Sequence, residues 1–358
     1  MSVNPYKQLA ERLDALPNGF PPTEDGAELR VLEKLFTPAQ ATLAAQLRLT
    51  PETPAQIAAR IGGDSAALRV QLKEMVRRGL VGAARGEGGL GYHVLPFVVG
   101  IYEMQAGRLD AELARLFEEY YQRAFGKMLT AQPQVHRVIP VGKTVAREID
   151  VQPFESAADI VNSARAWGVV DCVCRTQKKL IGEPCEHPLD VCMVLSETPN
   201  AFAAAPAIRA LSQAEALATL RRAAEAGLVH SVSNNQQGLW YICNCCTCSC
   251  GILRGMADLG IANVVARSAF VCQVDDAVCI GCELCVPRCQ FAALTVDGSA
   301  RVDEMRCVGC GVCVLVCDQD ALRLMRRPAE QVLPPPLTEG EWRAARAASR
   351  DLDLARVM

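Results

Sequence analysis

Four cysteines at C-x2-C-x2-C-x3-C spacing, present twice, constrain this chain more than any other feature. The first run is Cys279-Ile-Gly-Cys282-Glu-Leu-Cys285-Val-Pro-Arg-Cys289, and it returns 28 residues later as Cys307-Val-Gly-Cys310-Gly-Val-Cys313-Val-Leu-Val-Cys317. Three thiolates so spaced wrap one face of an iron-sulfur cube, while the fourth reaches the cube of the other run. The spacing therefore groups Cys279, Cys282, Cys285 and Cys317 on one [4Fe-4S] cluster, and Cys307, Cys310, Cys313 and Cys289 on a second. Gly281 matches Gly309, Ala293 matches Ala321 and Leu294 matches Leu322, so the unit is duplicated. The two glycines allow a tight turn that points backbone amides at cluster sulfurs. A pair of zinc knuckles would use two C-x2-C pairs per ion and has no use for the third and fourth cysteine of each run.

On these eight cysteines, residues 272–326 resemble a bacterial two-[4Fe-4S] ferredoxin. That family usually follows its fourth cysteine with proline. Here Gln290 follows Cys289 and Asp318 follows Cys317, and both positions regain a backbone N–H. A donor near a cluster sulfur raises the reduction potential and a carboxylate lowers it, so the potential of a standard ferredoxin does not carry over.

A chain of 358 residues has room for two or three domains with cores of their own. The net charge of −3 gives no global reason to bind nucleic acid or an anionic membrane. Residues 1–20 lack the apolar stretch of an export signal, and no window reaches 18 uninterrupted apolar residues. Eighteen cysteines in such a chain argue for thiolate ligands over disulfides. The expected setting is the cytoplasm of an anaerobic or microaerobic cell, with no membrane contact.

The expected fold class is α+β and multidomain. A helical arm occupies residues 1–23. The pairs Thr37-Pro38 and Thr53-Pro54, each with glutamine two residues on, are capping-box helix starts. A longer helix is expected over 65–79, with Leu68, Val70, Leu72, Met75 and Leu80 inward and Arg69, Gln71, Lys73, Arg77 and Arg78 outward. Strands 80–84 and 90–95 flank a Gly-rich turn. This order over 24–97 resembles a winged helix of bacterial transcription regulators, which implies DNA binding by the 65–79 helix. Few basic residues, interrupted by Glu74, weigh against DNA and for protein contacts or dimerisation. Residues 98–130 carry a helical pattern, weakened by Gly100 and Gly107, for a connecting or dimerisation helix. A Cys-rich α/β middle domain over 131–270 follows, with two short strands between 133 and 153, a helix from Ser156 to about Trp167, and a capped helix over 212–226. The dicluster ferredoxin domain takes 271–328. A polyproline spacer and a final helix, a docking arm or a cover for the chain's own surface, take 329–358.

Two more cysteine groups lie in the middle domain. Cys172, Cys174, Cys185 and Cys192 form a complete ligand set within 21 residues, at a spacing unlike the C-x2-C pairs of zinc fingers. A third iron-sulfur cluster is the expectation there, with Arg175, Lys178 and Lys179 offsetting its charge. His187 is read either as a surface histidine or as a donor to cluster sulfur. The second group, Cys243, Cys245, Cys246, Cys248 and Cys250, is too dense to be explained by packing. It would hold a fourth cluster, complete the third, or act as a redox dithiol. Cys272, outside every motif, reads as a buried small hydrophobe in a strand.

The whole order resembles a family of multi-cluster 4Fe-4S ferredoxin proteins of anaerobic bacteria, which implies architecture and electron transfer but no substrate. The expected function is an electron-transfer protein with two [4Fe-4S] clusters and one or two further iron-sulfur clusters, exchanging electrons with a redox partner protein. The alternatives are a redox-sensing winged-helix regulator and an electron-input subunit of a larger reductase. No G-x-G-x-x-G after a strand and no G-x4-G-K-[ST] occurs, so neither a dinucleotide nor ATP is implied, and no catalytic residue is assigned.

Overall fold

The computed structural model describes residues 4–358, apart from 87, 143, 146–148, 150 and 206. It divides into two compact units, Met1–Gln132 with Arg343–Met358, and Pro133–Trp342.

The first unit opens with α1 (Pro5–Asp14), α2 (Ala27–Leu35), α3 (Pro38–Gln46), α4 (Pro54–Ile61) and α5 (Ser65–Arg77). Both capping boxes are present: Thr37 and Thr53 accept from the backbone of Gln40 and Gln56, whose side chains return to the cap N–H. The antiparallel hairpin β1 (Val81–Gly86) and β2 (Gly89–Val94) follows. On α5, Leu72 and Met75 are buried, but Val70 is 71% exposed and sits on the outward face with Arg69 and Lys73. It lies two residues from Leu72, and at 100° per residue such neighbours cannot share a face.

Residues 98–130 do not form one helix. Gly107 has φ +82 and the helical geometry fails at Val98, Val99 and Gly100, so the long helix starts only at α6 (Ala111–Tyr120), which runs on through a π-helical turn at Tyr121–Phe125 into α7 (Gly126–Leu129). This stretch builds a core with Phe20. Tyr102 stacks on Phe117 at 3.8 Å between ring centroids, and Phe97 lies 4.6 Å from Phe20. Arg346, near the chain's end, is fully buried, and its guanidinium donates to the carbonyls of Pro17, Ala131 and Met128 at 2.6–2.8 Å. The final segment thus covers this unit's own surface.

The second unit is organised on a seven-stranded sheet in the order β6-β4-β5-β8-β7-β3-β9. Its elements along the chain are β3 (His136–Val138), α8 (Ala157–Ser163), β4 (Ala166–Val170), α9 (Val173–Leu180), β5 (Cys192–Ser196), β6 (Arg209–Leu211), α10 (Gln213–Glu225), β7 (Val229–Ser233), β8 (Tyr241–Cys245), α11 (Arg254–Ala257) and β9 (Val265–Ala266). The second of the two strands expected between 133 and 153 falls partly outside the described residues. The helix begun by Ser156 ends at Ser163, and Trp167 belongs to β4, paired with Leu195. Ile139, Val161, Val169, Met193, Leu220, Val232 and Ile242 form the core between the sheet, α8 and α10. Each such side chain contributes about 1.5–3 kcal/mol by leaving water.

Downstream, β10 (Phe270–Val274) pairs antiparallel with β13 (Leu322–Arg326), and β11 (Leu294–Asp297) forms a hairpin with β12 (Ser299–Val302). The proline-rich segment is pinned by Gln236 and Gln237, whose backbone N–H groups donate to Pro336 and Leu337 at 3.0 Å. The helix α12 (Glu339–Ser349), with Thr338 accepting from the Glu341 N–H, is followed by a single 3-10 turn at Leu354–Arg356.

Candidate metal centres

In the C-terminal module the cysteine loops lie between the two strand pairs. Their turns depend on glycine. Gly309 has φ +69, and a Cβ there would stand 2.1 Å from Phe270 O; at Gly281, φ +66, it would stand 2.5 Å from Gly298 O. Cys279, Cys282, Cys285 and Cys317 line one hollow, together with Ile280, Leu284, Val296 and Leu322. Cys289, Cys307, Cys310 and Cys313 line a second, with Cys272, Arg288, Phe291 and Leu324.

Both hollows suit a thiolate-held cluster: four sulfurs of the repeated runs in each, with Cys272 beside the second, apolar walls, and backbone donors. Ala300 N–H donates to Cys279 Sγ and Ala293 N–H to Cys289 Sγ, both at 3.3 Å. Burial pushes the Cys285 thiol up to about 11 and raises Cys289, Cys307 and Cys310 as well. Ligation by these groups would therefore release protons. Cys272 is buried in β10, with Cys313 Sγ 3.7 Å from its own sulfur.

The middle-domain cysteines are gathered by the sheet. Val170, at the end of β4, faces Cys192 at the start of β5, and Met193 faces Ile242 on β8. Continuing that antiparallel register sets Cys192 opposite Cys243. Cys172 then caps α9, which carries Cys174 in its first turn. Six thiols meet at this end of the sheet. Cys172 touches Cys174 and Cys192, Cys174 touches Cys250, Cys250 touches Cys245, and Cys245 touches Cys243. Contact with Cys174 and Cys192, aided by Arg175, holds Cys172 well below the ordinary thiol range, and both partners are pushed well above it. Contact with Cys245 favours the Cys243 thiolate, but burial and nearby Cys192 leave Cys243 at about 12.

Cys185 does not join this ring. The chain runs through α9 and a turn before reaching it, and its sulfur comes instead beside His187, Cys246 and Cys248. Those four ligand atoms all lie within 4.8 Å of one another. The set expected from residues 172–192 is thus divided between two places, and the dense group 243–250 supplies both. Contact with Cys248, then His187 and Arg175, brings Cys246 down to about 3, while Cys246 and Cys185 raise His187.

Between the two groups lies Arg175, 2% exposed, donating from Nη1 to Asn244 O at 3.1 Å and to Cys246 Sγ at 3.7 Å. Its Nε and Nη2 are buried with no hydrogen-bond partner among the described residues. Burial disfavours its charge, but the thiolates of Cys172, Cys192 and Cys246 outweigh that and raise its pKa. Of the other two cations expected here, Lys178 pairs with Glu183 and Lys179 is exposed.

Several contributors carried only weak sequence signals. Gln290, at the position where proline is usual, accepts from Thr247 N–H at 2.7 Å and donates to Gly227 O and Cys245 O, joining the second hollow to β8. Arg288, on the wall of that hollow, donates to Glu225 O at 2.6 Å. His136 lies 3.4 Å from Ser231 Oγ, which is 3.5 Å from Cys245 Sγ. The pairing of C-x-H at 185–187 with C-x-C at 246–248 was the one local hint of His187's place.

No helix among the described residues is long and apolar enough to cross a membrane. No curated protein and no solved structure showed significant similarity to the chain. Residues 300–323 match the 4Fe-4S binding domain family, a segment that includes Cys307, Cys310, Cys313 and Cys317. The chain therefore contains an iron-sulfur, ferredoxin-like module for at least one [4Fe-4S] cluster.

Proposed function

We propose that this protein carries electrons between a partner oxidoreductase and its own middle domain. It would do so through two [4Fe-4S] clusters in residues 271–328 and a third iron-sulfur cluster within the ring of Cys172, Cys174, Cys192, Cys243, Cys245 and Cys250, whose binding would spread thiols that touch one another in this structure. The observation that carries this reading is the pair of four-thiol hollows, the second of which is fastened by Gln290 to the strand that holds Cys245.

When bound, such clusters supply one-electron chemistry, and the protein's part is to hold them close, keep them dry and tune them. Val296, Leu322, Leu294 and Leu324 exclude water from the hollows. The amides of Ala300 and Ala293 stabilise charge on ligand sulfur. The first hollow opens at an apolar rim, with Ile280 65% and Leu284 52% exposed and Cys282 at the surface. A redox partner docking there would exchange electrons with the outer cluster, and the second hollow faces inward toward β8.

We read residues 24–97 as a winged helix used for protein contact, including self-association. The outward face of α5 carries Arg69, Lys73 and Arg77, but Glu74 stands 3.7 Å from Arg77 and exposed Val70 interrupts the stripe. A shift of the protein's own upstream DNA that depends on redox state would instead favour a regulator.

The test is iron and acid-labile sulfide per chain after anaerobic purification, with EPR of the dithionite-reduced protein. About twelve of each is expected, and about eight would remove the middle-domain cluster.

A further inference from the structure

We propose that Cys185, His187, Cys246 and Cys248 hold a single tetrahedral zinc ion, separate from the iron-sulfur positions. The first argument is distance. Zinc bonds to sulfur at about 2.3 Å and to nitrogen at about 2.0 Å, so ligand atoms at the corners of its tetrahedron stand roughly 3.5–3.8 Å apart. Cys248 Sγ and His187 Nδ1 are 3.6 Å apart, and no two ligand atoms of the set exceed 4.8 Å. A cube of four irons keeps its terminal thiolates farther apart, because two irons lie between any two of them. The four ligands here converge on a point that has room for one ion.

The surroundings give the second argument. Three thiolates and a divalent ion leave one net negative charge. Arg175 supplies one positive charge against Cys246 Sγ at 3.7 Å, and no carboxylate among the described residues pairs with it. A buried guanidinium with two unpartnered nitrogens is strongly unfavourable unless its counter-charge is permanent, and metal-bound thiolates are permanently ionised. Ser249 Oγ donates to Cys185 Sγ at 3.3 Å, a second outer contact of the kind that orients zinc ligands.

All four positions come from the protein, which makes the site closed and structural, with no coordination place left for a substrate. It joins two short pairs, C-x-H and C-x-C, 61 residues apart. The ion would clamp the 181–191 loop to the 246–250 turn and so hold Cys174, Cys192 and Cys250 in position around the neighbouring ring. The site stands whether or not that ring carries a cluster: zinc content reports on one, and iron and sulfide on the other.

Metal analysis of the full chain, purified anaerobically without added metal, tests this. About one zinc per chain is expected, in addition to iron. His187→Ala and Cys248→Ser should lose the zinc and keep the iron, whereas His187→Cys should keep both. Loss of about four irons in His187→Ala with zinc unmoved, or a wild-type chain with less than a tenth of a zinc, would overturn the proposal. Should the alanine variant not fold, cobalt-loaded wild type and His187→Cys decide. Visible bands of tetrahedral cobalt with three sulfurs, shifting on gain of a fourth, support the site; identical spectra refute it.

Discussion

The two cysteine-rich regions of this molecule use the same side chain in opposite ways. In the C-terminal module, eight thiols of the repeated runs line two hollows, held by duplicated loops whose glycine turns admit no side chain. In the middle domain, thiols from the start of α9, from β5 and β8 and from the turn after β8 press against one another at the end of a sheet. One group there converges to within 4.8 Å and recruits a histidine. Cysteine count therefore says little about which metal a site takes. The separation of the sulfurs says more, because a cube and a single ion need different spans.

The largest effect that could break this comparison is on metal content. Cys310→Ser should remove about four irons per chain and leave zinc unchanged, while Cys185→Ser should do the reverse. If both variants lose only iron, the distinction between the regions fails.

Backbone strain should separate them next. Gly309→Ala puts a Cβ 2.1 Å from Phe270 O at φ +69 and should cost more than about 3 kcal/mol, seen as bleaching of cluster absorbance at much lower temperature. Gly182→Ala, at φ +87 with nothing within 4 Å, should cost only about 1 kcal/mol.

Acid should act on the middle domain first, since His136 and His230 are buried in its sheet and residues 270–326 contain no histidine. Burial lowers both from 6.5 to about 4. Below the unfolded value the unfolded chain binds protons that the folded chain refuses. Stability is thus whole above pH 6.5, falls as pH drops toward 4, and levels off below, by roughly 3 kcal/mol per ring. His136→Gln with His230→Gln should flatten the denaturant midpoint across that window; an unchanged slope would refute the assignment.

Arg175→Met should weaken metal retention in the middle domain about 10–100-fold in a chelator competition while sparing the two C-terminal thiol-lined hollows. Equal loss at all sites would mean a general unfolding. Gln290→Ala removes the acceptor for Thr247 N–H and should cost about 1–3 kcal/mol. Rapid reduction should then slow only at the middle-domain centre, and an unaltered rate would detach Gln290 from the electron route.

Much of the local structure was legible beforehand. The boxes at Thr37, Thr53 and Ser212 mark helix starts because a cap is a contact between residues three apart. Over 98–130 the two glycines that weaken the helical pattern, Gly100 and Gly107, are where the backbone leaves the helix. Trp167, at the end of the expected helix, lies in a strand paired with Leu195. Val70, inward on the apolar pattern, faces solvent.

The grouping of Cys279, Cys282, Cys285 and Cys317, and of Cys289, Cys307, Cys310 and Cys313, could be written down from spacing, and the same fours line the two hollows. Each run is a local repeat, and local separation limits which thiols can meet. No such rule governed the middle domain. There Cys185 left its sequence neighbours for Cys246 and Cys248, Arg175 came to lie between two thiol groups, and Gln290 reached β8. Those meetings depend on the antiparallel register of β4, β5 and β8, which brings distant segments to one end of a sheet and which only the folded chain decides.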